Sequence, residues 1–472
     1  MTQAKSNYLK AGIWYVIGNI LIKGVSFIAL PIFTKLLSPD DFGKYNIFMS
    51  YESILSIVLG LGFAGTIKIA FFDFKEKFLD YFSSIISLTF IFTVLFDILS
   101  ILGFILFLRP ILPEIWTFGL VQLLIFGSLG TALYSLISTK YVIHAEYKSN
   151  LAISAVYTIV NVALSVFLCY FIFTDERYLA RIVGYTLPIM LIAYGISLYY
   201  VFRSGVIINI NYWKYALKLG SPLIIHSLAM VLLMQIGKIM INMLCGDSET
   251  GIFSVGVTIA SILGIILGSF DNAWAPWFYR GLNDGKYKEL IIGNNKISLV
   301  FSILCSCFIL LSPEMIFLMT TRDYYDGLYS LIPMVVATYI NFMYLFAVNQ
   351  EYYYKKTKTI AIGTIIASIT CIILNYLLIP MFGYITAAYV SCAGNMVLFV
   401  IHTGIVKYWG KPDVVSIKYL FFLLLITSLT GVYTIFFRAF LLPRIAALLV
   451  LSGVLAYNAL KLYKQIKYNR SK

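Results

Sequence analysis

Charged side chains are scarce, at 12% of 472 residues, where a soluble domain carries about 25%. That shortage is incompatible with the surface of an ordinary globular enzyme. Histidine is nearly missing: His144, His226 and His402 are the only three. No His, Cys or acidic set stands at metal-ligand spacing. There is no Ser/His/Asp arrangement and no glycine loop to cradle a phosphate. No catalytic residue or metal ligand is therefore assigned, no cofactor is expected, and an enzyme is disfavoured. The six cysteines all fall in apolar stretches. Cys305 and Cys307, two apart, fit neither a redox nor a metal pattern and read as small core residues. Long polar segments are missing too. The longest connection, the basic run from Arg280 to Lys296, has no room for a soluble domain.

What is present is apolar sequence. Hydrophobic residues make up 61% of the chain and the mean hydropathy is +0.90. Runs of the roughly 20 residues needed to cross a bilayer recur from Ala11 to Lys461. They predict an all-α, multi-pass membrane protein with about fourteen spans: 11–36, 45–71, 81–108, 115–139, 150–173, 180–202, 214–245, 251–279, 296–320, 328–354, 359–381, 383–406, 417–437 and 442–463. The polar start, Thr2 to Lys10, precedes an apolar run too long for a signal peptide and lacking a small-residue cleavage site. It predicts a retained first helix. Pro31, Pro188, Pro222, Pro276 and Pro333 fall within spans and predict kinks, whether for movement or for packing.

A net charge of +14 raises the question of nucleic acid, but no basic cluster is interleaved with aromatics as a nucleic-acid groove requires. The loops explain the charge. With the N-terminus inside, 24 of the 35 Lys and Arg residues lie in cytoplasmic segments and 8 in outer ones. This is the positive-inside pattern, and it predicts both termini in the cytoplasm and residence in the cell (inner) membrane.

An internal repeat shows faintly. "LLSPDDFGKYNIF" resembles "MLCGDSETGIFSV", pairing Gly43 with Gly251 at an offset of 208. Lys148, Ser154, Thr158 and Ser165 match Lys358, Thr364, Ser368 and Asn375 at 210. Either apolar sequence matches here by chance, or two six-helix lobes are related by a pseudo-twofold axis along the membrane normal. The second reading predicts an N-lobe over 1–202, a C-lobe over 203–411, and two further C-terminal helices with a basic tail over 412–472.

The three remaining cations, Lys23, Lys68 and Lys238, lie inside apolar spans. A cation there costs about 2.5–3.5 kcal/mol on insertion scales and so marks a functional candidate. Lys23 shares one helical face with Gly12, Tyr15, Asn19 and Ser26. It is read as a site residue or one half of a structural ion pair. Lys238, flanked by Gln235 and Asn242, falls on nearly the same face of the equivalent helix; it binds something or snorkels outward. Lys68 sits close enough to its span's end to snorkel. Among the acids, Glu52, Asp97 and Asp271 are candidates for a coupling ion, H⁺ or Na⁺, or for plain ion pairs and satisfied polar contacts.

The segments "LPIFTKLLSPDDFGKYNIF" (Leu30 to Phe48), "LGLGFAGTIKIAFF" and "YYYKKTKTIAIGTIIASITCIILNYLLIPMFGYITAAYVS" (Tyr352 to Ser391) resemble the bacterial polysaccharide flippase family, the Wzx-type O-antigen and capsule exporters. The resemblance implies the multidrug/oligosaccharidyl-lipid/polysaccharide exporter fold, with two lobes opening alternately to each side. It implies as substrate an undecaprenyl-pyrophosphate-linked oligosaccharide crossing between leaflets, with membrane lipids and a polysaccharide polymerase as partners and no nucleic acid. On that reading Lys23 and Lys238 attract the pyrophosphate. Tyr15, Asn19, Gln235, Asn242, Tyr157 and Asn161 are candidate sugar contacts. The rivals are a drug/cation antiporter of the same fold, whose cavity would need acids, and a membrane polymerase or ligase of the same pathway, which would carry a large catalytic outer loop. A non-transporting scaffold would not need buried lysines on a polar stripe.

Overall fold

The computed structural model describes residues 29–103, 116–205 and 207–454. All regular structure among them is helical. The helices of the first part are α1 Leu30–Leu36, α2 Pro39–Leu59, α3 Phe63–Phe74, α4 Phe78–Gly103, α5 Phe118–Ile143, α6 Tyr147–Phe171 and α7 Arg177–Ser204. There follow α8 Ile210–Cys245, α9 Asp247–Asn283, α10 Tyr287–Met319, α11 Gly327–Tyr353, α12 Thr357–Phe382, α13 Thr386–Tyr408 and α14 Ile417–Phe436. A shorter apolar helix, α15, covers Leu441–Val454. Eleven helical segments among the described residues are long and apolar enough to cross a membrane, with Pro39–Gly103 taken as one.

Polarity is distributed as lipid requires. Leu95, Leu99 and Leu102 on α4, and Phe422, Leu425 and Leu429 on α14, form exposed apolar stripes at helical spacing. Hydroxyls point inward instead. Ser87, Thr89 and Thr93 are buried and donate back to the carbonyls of Ser83, Ile85 and Thr89. Such internal bonding lets small polar residues line helix–helix contacts without orphaned donors.

Two expected boundaries move. The span expected over 45–71 is two helices, because Leu61 and Gly62 both take positive φ, 48° and 64°. The left-handed conformation ends a helix at little cost only where glycine is available. The expected loop from Arg280 to Lys296 shrinks to the turn Asp284–Lys286, since α9 and α10 run to 37 and 33 residues. At 1.5 Å per residue both are longer than a hydrocarbon core of about 30 Å.

The start of α2 shows how local sequence sets an element. In "SPDD", Ser38 Oγ accepts from the Asp41 N–H at 3.1 Å, and Asp41 reaches back to the Ser38 N–H. This is a complete capping box with proline in the first turn.

The chain divides into two compact units, one ending at Gln235 and the other beginning at Ile236, within α8. In the first, α5, α6 and α2 pack on α7, and α2 also packs on α5. Its core gathers Leu59, Phe63, Ile67, Phe82, Leu129 and Leu133. In the second, α11 packs on α13 and α9, α12 on α13, and α10 on α14. An aromatic stack of Trp274, Phe278, Phe301, Phe342 and Phe346 fills its middle. The order of elements repeats. Pro39 and Asp247, which open α2 and α9, are 208 residues apart; Phe78 and Tyr287 are 209 apart, and so are Arg177 and Thr386.

Candidate functional site

Lys23, Tyr15 and Asn19 lie outside the described residues. Lys68, in α3, is exposed beside exposed Ile69. Lys238 is half-buried in α8, next to a small core of Met240, Ile241, Phe253 and Ala387. Its expected companions on that helix have separate contacts. Gln235 Oε1 accepts from Ser50 Oγ at 3.2 Å, and Asn242 Nδ2 donates to Asp247 Oδ1 at 2.6 Å across the turn into α9. Asn242 is thereby engaged in closing a helix end.

A polar cluster of the first unit forms where side chains of α2, α6 and α7 meet. Arg181 lies in the first turns of α7. Its Nη1 donates to Asn161 Oδ1 at 2.6 Å and to Ser165 Oγ at 2.9 Å, both on α6. The guanidinium carbon stands 3.9 Å from the Phe33 ring centroid and 4.8 Å from that of Tyr45. Two aromatic faces and two oxygens thus replace part of the water lost by this half-buried arginine, whose Nε has no partner among the described residues. Asn161, with both polar neighbours in place, is tied to the arginine rather than presented to a ligand.

Glu52 sits two turns after Tyr45 on α2 and is 2% exposed. Tyr45, Tyr157 and Tyr185 lie within electrostatic reach of it, and the rings of Tyr157 and Tyr185 meet edge-on at 6.0 Å. The carboxylate lies beside Thr131, and among the described residues its Oε1 has no hydrogen-bond partner. A buried acceptor left without a donor costs about 1–3 kcal/mol. A proton or a small cation taken up there would remove that cost. The other two acids are already served. Asp97 accepts from Gln122 Nε2 at 2.9 Å and from Ser100 Oγ at 3.3 Å. Asp271 accepts from Asn349 Nδ2 at 3.1 Å, and Asn349 in turn accepts from the Tyr279 hydroxyl at 2.7 Å.

Arg181 is the residue that sequence reasoning missed. Its signal was the pair Arg177 and Arg181 at i, i+4 in "DERYLARIVGY", which reads equally well as loop charge. Only Arg177 behaves that way, donating to the carbonyls of Thr174 and Leu36 at the helix start.

The chain matches the family described as polysaccharide biosynthesis protein over residues 8–282, more than half its length. It belongs to that family. Two Haemophilus influenzae proteins are similar. Protein 1 of the Lsg locus is 21% identical over 374 residues, covering 76% of this chain and 88% of that protein. An uncharacterized membrane protein is 24% identical over 367 residues, covering 75% and 86%. Among solved structures, the lipid II flippase MurJ in an inward closed conformation has a TM-score of 0.74 at 16% identity, over 96% of this chain and 99% of that one. An inward-facing multidrug resistance transporter of the MATE family, in the MOP superfamily, gives 0.60 at 14% identity, over 84% and 99%. The fold is therefore shared with these two structures, and the family member described here is a multi-pass membrane protein.

Proposed function

We propose that this protein is a lipid-linked oligosaccharide flippase. It moves an undecaprenyl-pyrophosphate-linked repeat unit of an O-antigen, capsule or exopolysaccharide across the inner membrane by alternating access. The observation that carries this reading is the joint one of family and fold: a polysaccharide biosynthesis family member whose fold matches, over nearly its whole length, a protein that flips lipid II. The charge of its embedded groups supports the same substrate class. Lys23 and Lys238 are cations in apolar spans, suited as point charges to a pyrophosphate. A drug/cation antiporter of this fold would have the opposite need. Of the candidate sugar contacts, Tyr15, Asn19 and Tyr157 remain the better ones, since Gln235, Asn161 and Asn242 already serve Ser50, Arg181 and Asp247. Glu52, buried with an oxygen that has no partner among the described residues, is the strongest of the three acids for coupling to H⁺ or Na⁺. A polysaccharide polymerase would receive the flipped unit, and both termini would face the cytoplasm.

The test is a chromosomal deletion complemented with variants. Deletion should make lipid-linked repeat units accumulate on the cytoplasmic side, and Lys23→Ala and Lys238→Ala should each fail to restore surface glycan at normal expression. Restoration by both would reject the pyrophosphate assignment; absence of accumulation would reject the flippase reading.

A further inference from the structure

The second unit holds a buried titratable pair that the transport reading does not use. Glu351, near the end of α11, and His402, on α13, are both 0% exposed, and His402 Nδ1 lies 2.5 Å from Glu351 Oε1. The other carboxyl oxygen, Oε2, meets the hydroxyl of Thr359 on α12. That same hydroxyl lies 2.7 Å from the carbonyl oxygen of Lys356, in the exposed turn between α11 and α12. Three helices therefore converge on one carboxyl group.

The Thr359 hydroxyl has one proton and two acceptors within reach, the Lys356 carbonyl and Glu351 Oε2. A proton on Glu351 Oε2 would let the carboxyl donate to the Thr359 oxygen and satisfy both contacts at once. The third contact is served by a proton on His402 Nδ1. The imidazole is then neutral and its Nε2 bare. That nitrogen is buried with no partner among the described residues, and a Cβ at Gly363 would come within 2.5 Å of it. An imidazolium would leave a second N–H orphaned against α12, at the cost of an unsatisfied buried donor.

We infer that Glu351 and His402 form a proton-exchange site in the second unit, and that this packing is its proton-loaded form. On release, the proton leaves Glu351 Oε2 and passes by way of Thr359 to water at the turn. The Thr359 O–H swings from the Lys356 carbonyl to the carboxylate, and the site goes from neutral to one negative charge. The N-terminus of α12, which begins at Thr357, favours that charge. Proton occupancy thus decides whether Thr359 holds the turn in which Lys355 takes φ 57°.

The groups facing the pair are few. Tyr344, whose ring lies 5.1 Å from His402, and Tyr352 are within reach on α11. Asp271 of α9 acts on Tyr352. Lys355, Lys356 and Lys358 flank the turn, and Lys407 lies five residues beyond His402 on α13. Among the described residues, no ion pair or hydrogen bond joins the pair to a charged group of α9, α10 or α14.

The test uses the full-length protein in liposomes and does not depend on the transported substrate. Glu351→Gln preserves every contact, because its amide donates to Thr359 and its carbonyl accepts from His402, but it cannot release the proton. Infrared spectra should show a protonated-carboxyl band in the wild type that is lost as pH rises, absent in E351Q and retained in Glu52→Gln. Amide exchange in the α11–α12 turn should accelerate with loss of that band in the wild type, beyond the ordinary pH dependence of exchange, and show no such step in E351Q. A band unaffected by E351Q, or one that persists at every pH at which the protein stays folded, overturns the inference. Should E351Q not fold, isotopically labelled histidine in the wild type answers the same question. A bare Nε2 is expected for the ring most shielded from water, and a doubly protonated ring there overturns the proposal.

Discussion

The two units share a skeleton and differ in what they bury. The turn after α5 and the turn after α11 are the same object: the Glu146 N–H reaches the Tyr141 carbonyl and the Lys356 N–H reaches the Glu351 carbonyl, both at 2.9 Å. Ala145 and Lys355 adopt φ of 56° and 57° there. Yet where the second unit places Glu351 and His402, the first has Tyr141 and Ala193, 210 and 209 residues earlier. Conversely, the positions of Tyr45, Glu52, Asn161, Arg181 and Tyr185 are filled in the second unit by Phe253, Ala260, Cys371, Val390 and Gly394. A repeat fixes where helices start and which faces touch. Each copy has then accumulated its buried charge at a different depth along that common frame.

Substitutions that make one unit imitate the other test how far this asymmetry matters. The largest effect is expected from Arg181→Val, which gives α7 the residue of α13. It removes two charge-assisted hydrogen bonds and two ring contacts and leaves Asn161 and Ser165 without their donor. A loss of about 2–4 kcal/mol is expected, seen as a lowered unfolding midpoint in detergent together with loss of surface glycan. Gly184→Ala, copying Ala393, comes next. A Cβ there would stand 2.6 Å from the Cα of Ser165, so α6 and α7 must separate, at about 1–3 kcal/mol. The reverse change, Ala393→Gly, should cost no more than about 1 kcal/mol of helix propensity. If the two changes cost the same, the close approach of α6 and α7 is not particular to the first unit.

Glu52→Gln should leave the unfolding midpoint nearly unchanged, within about 1 kcal/mol, because shape is kept and a poorly satisfied acceptor is removed. Transport should meanwhile lose its dependence on the H⁺ or Na⁺ gradient, measured in liposomes with imposed gradients. A gradient response equal to the wild type would move coupling away from the first unit. The smallest effect is expected to be equal on both sides: Ala145→Gly and Lys355→Gly should each stabilise by up to about 1 kcal/mol, since both side chains sit in left-handed backbone. Unequal gains would show that the matched turns are held by different forces.

Much of the frame could be read from the residues. Apolar runs located the spans, "SPDD" announced the start of α2, and the offsets of 208 and 210 between Gly43 and Gly251 and between Lys148 and Lys358 matched helix starts that recur at 208 and 209. The site was harder to read, for a physical reason. Lys238 and Asp97 stood out because a charge in an apolar run is visible in one dimension. Arg181 was hidden because it lies near a helix start, where sequence cannot distinguish a solvated cation from one folded inward. Nothing in the chain links Arg181 to Asn161, 20 residues before it, until α6 and α7 pack.

Sequence by itself determined that this protein lives in lipid, because apolar runs of about 20 residues recur along it and few charges interrupt them. Period and offset determined helices and their repetition, because those follow from local spacing. Only the tertiary structure decided which charges are buried together. Partnering depends on distances between helices remote in sequence, as Glu351 and His402 show: 51 residues separate them in the chain, and a single hydrogen bond joins them in the fold.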